Sequence, residues 1–176
     1  MQNVKSSECV SANLDKLVTN VVELLKRRGL TIATAESCTG GLLSELITSV
    51  SGASEVFELG LCTYSERMKS RFLDVPEETI ARYGVVSSET ALAMVQGLKK
   101  CSEADICISI TGIAGPGGGT ADTPVGTVWI GFDICGRQFV RLPDMRTLED
   151  KSRDNIRCNA ALFAFRIIED ALTEAF

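Results

Sequence analysis

The sequence predicts a layered α/β domain with a mixed sheet. Helical and strand-like segments alternate through the first two thirds of the chain. A hairpin signal at Cys135-Gly136 then joins two strand-like runs. Alternating strands and helices favour parallel pairing and a tight hairpin imposes antiparallel pairing, so one sheet carries both. No repeat or linker divides the 176 residues, a length that suits one domain.

Residues 1–11 are polar and unpatterned and read as a loose N-terminal extension, with the domain spanning 12–176. A helix is expected over about 12–28, where Leu14, Leu17, Val18, Val21 and Leu25 fall on one face before Gly29 stops it. Thr31–Ala35 is short and β-prone and runs into Glu36-Ser37-Cys38-Thr39-Gly40-Gly41. Leu42–Val50 reads as a helix, Leu59–Tyr64 as a strand and Ser65–Phe72 as a helix. Asp74-Val75-Pro76-Glu77-Glu78 opens another helix, because proline suits the first turn and acids complement the helix dipole. Ser87 or Ser88 caps a helix to about Lys100, with Leu92, Val95 and Leu98 inward. Ala104–Ile110 is a strand with Ile106, Ile108 and Ile110 on one face and Cys107 and Ser109 on the other. A glycine-rich stretch, Thr111 to Thr120, follows. Val125–Ile134 alternates with Val128, Ile130, Phe132 and Ile134 inward, and the hairpin leads into Gln138–Leu142. A last helix over about 149–173 carries Ile156, Ala160, Phe163 and Ile167.

Composition narrows the chemistry. The chain is 45% hydrophobic and 23% charged, as globular domains are. Lys+Arg is 18 against 23 Asp+Glu, a net charge of −5, which argues against general nucleic-acid binding yet permits a local pocket for one phosphate. There is no histidine, so every Ser-His, Cys-His and His-metal arrangement is excluded. Any catalytic base must be Lys, Tyr, Asp or Glu. Seven cysteines, at 9, 38, 62, 101, 107, 135 and 158, include no C-x-x-C pair, so neither a zinc site nor a redox motif is expected. An odd cysteine count and an N-terminus without an apolar signal core point to reduced thiols in the cytoplasm. No apolar run approaches the ~20 residues that span a bilayer, so no membrane partner is expected.

Four segments can carry chemistry. Glu36–Gly41 sits where a strand becomes a helix, the edge at which open α/β sheets bind ligands. Free N–H groups there can hold an oxyanion, although Ser and Thr also cap ordinary helices. Local pattern does not choose among Ser37, Cys38 and Thr39 as nucleophile. Thr63-Tyr64-Ser65 with Lys69 puts Ser65 and Lys69 on one helical face. As a base Lys69 must be neutral, which requires burial or a nearby positive charge; otherwise it is a solvated lysine beside a half-buried tyrosine. The glycine stretch has the spacing G-x-x-G-x-G-G-G, neither a dinucleotide fingerprint nor a P-loop, but its backbone N–H groups can nest an anion. In Lys151–Arg157, Arg153 or Arg157 can hold a phosphate, or the segment is simply a charged helix end.

Together these segments resemble the C-terminal domain of the CinA competence/damage-inducible proteins and their stand-alone relatives, the nicotinamide-nucleotide amidohydrolases. The matching stretches are TAESCTGGLLSELIT, YSERMK, YGVVSSETALAM, ISITGIAGPGGGTADTPVGTVWIGF and RDNIR, in family order from about Leu14 to Leu172. The resemblance implies a single-domain, three-layer α/β/α sandwich around a mixed sheet of about five strands. It implies hydrolysis of nicotinamide mononucleotide to nicotinate mononucleotide and ammonia, with no metal or other cofactor. By the family's motifs Ser37 is the nucleophile and Lys69 the base, with Tyr64 beside it. Glu36, Thr39, Gly40, Gly41, Thr111, Gly112, Gly115, Gly117 and Arg153 are then expected against the substrate. The implied partner is a small mononucleotide, with neither nucleic acid nor membrane, and self-association into a homo-oligomer is left open. Two departures stand out: Glu66 where the family usually has Asn, and Lys151-Ser152 where it tends to have Gly-Asp before Arg153. A carboxylate near Lys69 raises the lysine pKa, the wrong direction for a base. The alternative expectation is a non-catalytic nucleotide-binding or protein-interaction module tied to competence or DNA-damage responses.

Overall fold

The computed structural model describes the backbone of residues 4–174 and the side chains of residues 13–174. Helix α1 (Val4–Arg28) leads into strand β1 (Ile32–Glu36) and helix α2 (Leu42–Thr48). Strand β2 (Phe57–Cys62), helices α3 (Glu66–Leu73), α4 (Glu77–Tyr83) and α5 (Ser88–Ser102), and strand β3 (Ile106–Gly112) follow. A hairpin of β4 (Val128–Ile134) and β5 (Arg137–Arg141) precedes the last helix, α6 (Arg153–Glu174). Short 3-10 turns at Ala53–Glu55 and Met145–Thr147 were not expected from the pattern.

The five strands lie in the order β2-β1-β3-β4-β5. β1 pairs in parallel with both β2 and β3, and β4 is antiparallel to β3 and β5, so the sheet is mixed. One face packs Ile32, Ile106, Ile108, Ile110, Val128, Ile130 and Phe132 against α1, α2 and α6. The other packs Ala33, Ala35 and Cys107 against α3, α4 and α5 through Leu73, Ile80, Met94, Val95 and Leu98. The result is one domain of three layers, α/β/α.

Several boundaries moved for identifiable reasons. α1 is already helical from Val4, not from about residue 12, so most of the expected loose extension is helix; residues 1–3 lie outside the described residues. No proline or glycine interrupts 4–28, and polar residues alone do not break a helix. β2 ends at Cys62 because its partner β1 ends at Glu36, which leaves Tyr64 beyond the sheet rather than inside a strand. β4 starts at Val128, opposite Gly112, so Val125 belongs to the loop. α6 starts at Arg153, after Asp150 accepts from the Ser152 N–H and hydroxyl. Its fully buried positions are Ile156, Ala160, Ala161, Ala164, Phe165, Ile168 and Leu172, while Phe163 and Ile167 are half-buried. Contact with α1, α2 and β4 makes that stripe broader than one helical face.

Among the described residues no helix is long and apolar enough to cross a membrane. The six cysteines among them, Cys38, Cys62, Cys101, Cys107, Cys135 and Cys158, are free thiols.

Candidate active site

Parity along β1 decides where its last side chains go. Successive residues of a strand face opposite sides. Ala33 and Ala35 join the α3–α5 face, whereas Ile32 joins the α1–α2–α6 face, so Thr34 and Glu36 point toward α2. Continuing the alternation turns Ser37 toward α3. The Ser37 N–H still donates to the Ile110 carbonyl at 3.0 Å, so the residue is anchored to β3. The Gly40 N–H then donates to the Ser37 carbonyl at 3.0 Å, and Gly40 and Gly41, at φ +64° and +97°, reverse the chain into α2. Both angles favour glycine.

Lys69 approaches from α3. The helix begins at Ser65, whose hydroxyl accepts from the Met68 N–H. One turn later Lys69 is 0% exposed, and its Nζ stands 2.9 Å from Ser37 Oγ. The same nitrogen donates to the Thr63 carbonyl at 2.7 Å. Burial pulls the amine from 10.5 down to about 8; Cys38, Cys62 and, least, Glu66 act in the opposite sense. The carboxylate of Glu66 therefore does not decide the charge of Lys69. Glu66 lines a separate depression between α3 and α4.

The three nucleophile candidates are now distinguishable. Ser37 is 8% exposed, lines a cleft and touches Lys69. The Cys38 thiol is 5% exposed, and burial pushes its pKa up to about 12, so it stays protonated. Thr39 is fully buried, and its hydroxyl has no hydrogen-bond partner among the described residues.

The cleft beside Ser37 holds about 330 Å³. Thr111, Gly112, Ile113, Ala114, Gly115, Gly117 and Gly118 form one side, Val85 and Val86 another, and Tyr64 and Arg153 stand at it as well. Because β1, β2 and β3 are parallel, their carboxyl ends share one sheet edge, which brings Ser37, Tyr64 and the glycine stretch together. The Arg153 guanidinium donates to the Gly115 carbonyl at 2.9 Å and to the Tyr64 hydroxyl at 3.1 Å. Thr111 lines the cleft, but its hydroxyl donates to the Val85 carbonyl at 2.7 Å and holds that wall. The Val85-Val86 wall was not expected; its signal was the apolar pair ahead of the Ser87 cap.

Four expected substrate contacts need correction. The Glu36 carboxylate is turned away from the cleft, accepting from the N–H groups of Gly41, Leu43 and Ser44 and from the Ser44 hydroxyl. It caps α2, as the parity of β1 requires. Gly40 and Gly41 do not line the cleft, and their N–H groups are bound internally by the Ser37 carbonyl and Glu36. Thr39 is outside the cleft lining too, and its carbonyl accepts from Nε and Nη2 of Arg157 at 3.1 and 2.7 Å. Among the described residues, the N–H groups of this turn without an internal partner are those of Cys38 and Thr39. Arg157, considered with Arg153 for a phosphate, is thus committed to the turn.

A larger depression of about 650 Å³ between α1 and α6 presents Glu23, Glu169, Asp170 and Glu174 with Arg27, but no group resembling the Ser37–Lys69 pair. Among the described residues no group of three or more His, Cys, Asp or Glu side chains is arranged to hold a metal ion.

Fold and site define a class: a three-layer α/β/α domain with a hydroxyl and a buried amine paired at the carboxyl edge of its parallel strands. The model of the CinA C-terminal domain matches residues 14–172, and the chain belongs to that family. It is 46% identical over 154 residues to a CinA-like protein of Petrotoga mobilis, an alignment covering 88% of this chain and 37% of that protein. It is 48% identical over 152 residues to a CinA-like protein of Thermotoga maritima, covering 86% and 36%. The chain thus spans little more than a third of these relatives' length. Among solved structures, the competence/damage-inducible protein CihA of Agrobacterium tumefaciens superposes with TM-score 0.85 at 34% identity, covering 92% of this chain and 96% of that one. A CinA superfamily protein of Klebsiella pneumoniae superposes with TM-score 0.84 at 31% identity, covering 91% and 98%.

Proposed function

We propose that the domain is an amidohydrolase that converts nicotinamide mononucleotide to nicotinate mononucleotide and ammonia. The observation that carries this reading is the 2.9 Å approach of Ser37 Oγ to a lysine amine whose pKa burial lowers to about 8. Ser37 attacks the carboxamide carbon while Lys69 takes its proton. The Cys38 N–H, at the cleft and without an internal partner, is the donor available to the new oxyanion. Lys69 then returns the proton to the departing nitrogen, ammonia leaves, and water cleaves the acyl-serine. Arg153 and the glycine stretch hold the phosphate and ribose, with Tyr64 at the same mouth.

The test is ammonia release from nicotinamide mononucleotide by the purified chain, with Ser37→Ala and Lys69→Ala in parallel. Loss of turnover in both supports the assignment, and undiminished release by Ser37→Ala removes it. The relatives' names associate the family with competence and damage responses, which favours a second reading, a nucleotide-binding or interaction module. Thermal stabilisation by nicotinamide mononucleotide without its consumption would mark that case.

A further inference from the structure

Arg157 makes two hydrogen bonds to a single carbonyl 118 residues away, that of Thr39, from the first turns of α6. Its remaining Nη1 donates to Asp154 at 3.2 Å. It does not line the cleft. A solvated helix end needs no such arrangement, and a phosphate ligand would have to break it.

The peptide it grips is the one that closes the nucleophile's turn. In a trans peptide the C=O and N–H point in opposite directions. Fixing the Thr39 carbonyl toward α6 therefore fixes the Gly40 N–H toward the Ser37 carbonyl, where it makes its 3.0 Å bond. That peptide leads into two successive glycines at positive φ, whose backbones offer little resistance to rotation. Glu36 secures the turn only from Gly41 onward. Between Ser37 and Gly41 the side-chain hydrogen bonds to the turn come from Arg157, and at 3.1 and 2.7 Å they are shorter than the 3.4 Å bond that the Leu42 N–H donates to the same carbonyl.

We propose that Arg157 is a positioning residue: by clamping the Thr39 carbonyl it holds the 39–40 peptide in the one orientation that keeps Ser37 Oγ against Lys69 and leaves the Cys38 and Thr39 N–H groups free. The proposal rests on Ser37 as nucleophile. Without the clamp the peptide rotates, the Gly40 bond to Ser37 is lost, and the hydroxyl drifts from the amine. Misplacement on the 1 Å scale costs about 10²-fold in rate.

The experiment measures Ser37 labelling by a small fluorophosphonate, which needs the activated hydroxyl but no mononucleotide, beside turnover of nicotinamide mononucleotide. Wild type, Ser37→Ala, Arg157→Ala and Arg157→Lys are compared after their folding is checked by melting. Arg157→Ala is expected to label about 10²-fold more slowly and to lose kcat by a similar factor with KM within twofold. Added guanidinium restores part of both in Arg157→Ala, which a merely structural defect would not allow. Wild-type rates of labelling and turnover in folded Arg157→Ala, or a raised KM at unchanged kcat, overturn the proposal. If Arg157→Ala does not fold, the same criteria apply to Arg157→Lys, which keeps the charge and loses the fork. Absence of labelling in wild type removes the Ser37 reading itself, an outcome distinct from failure of the clamp.

Discussion

A neutral lysine has two N–H hydrogens and one lone pair. In Lys69 one N–H goes to the Thr63 carbonyl, and in the neutral amine the 2.9 Å contact with Ser37 Oγ lets the lone pair face the hydroxyl. With the amine near 8, about a tenth of it is neutral at pH 7. Activity by this route therefore rises with pH, about tenfold per unit below 8, and levels above it. A pH profile of kcat/KM with its midpoint near 8 is the expected result, and a flat profile from pH 6 to 9 would count against Lys69 as base. The sign for stability follows from the same shift. Between about 8 and 10.5 the unfolded chain binds a proton that the folded chain lacks, so through this group stability climbs with pH across that window. At this scale the motif made Lys69 and Ser37 legible in the sequence. Glu36 is expected against the substrate only because it belongs to the same motif, yet its parity with Ile32 already assigns it to α2.

Among the elements, α2 is short and its entry is a pair of glycines, so its start depends on the buried Glu36. A Gln there presents an N–H₂ to donors and leaves some of them unpaired. Glu36→Gln is expected to cost about 2–3 kcal/mol, a fall in Tm of about 5–10 °C readable by calorimetry. A second dependence lies where α3 meets α5. A Cβ on Gly97 would collide with the backbone carbonyl of Leu73, which cannot yield as a side-chain tip can. Gly97→Ala is expected to cost about 1–3 kcal/mol by overpacking, and because Leu73 closes the helix that carries Lys69, to lower kcat as well. Element types and order were legible from periodicity and punctuation. Strand ends were not, because a strand stops where its partner stops: Tyr64 looked like strand until Glu36 was seen to end β1.

At the scale of the molecule, the cleft gathers segments from five places along the chain: the Ser37 turn, the α3 entry, the Val85-Val86 pair, the glycine stretch and the start of α6. Four were legible because they carry polar or glycine signatures, whereas Val85 and Val86 look like any core pair. Arg153 ties two of these segments together by donating to Gly115 and Tyr64. Arg153→Ala is expected to raise KM for a phosphorylated substrate about tenfold or more, on the order of 1.5–3 kcal/mol for a charged hydrogen bond. The corresponding unphosphorylated riboside should be little affected, and equal losses for both would point to a structural role. The complete enclosure of Lys69 has a consequence for its dealings with solvent. With no surface of its own, the amine trades protons with bulk water by way of its serine neighbour. Amine-directed reagents that decorate the outer lysines find nothing to attack there, and whatever ligand covers the hydroxyl seals the nitrogen in with it.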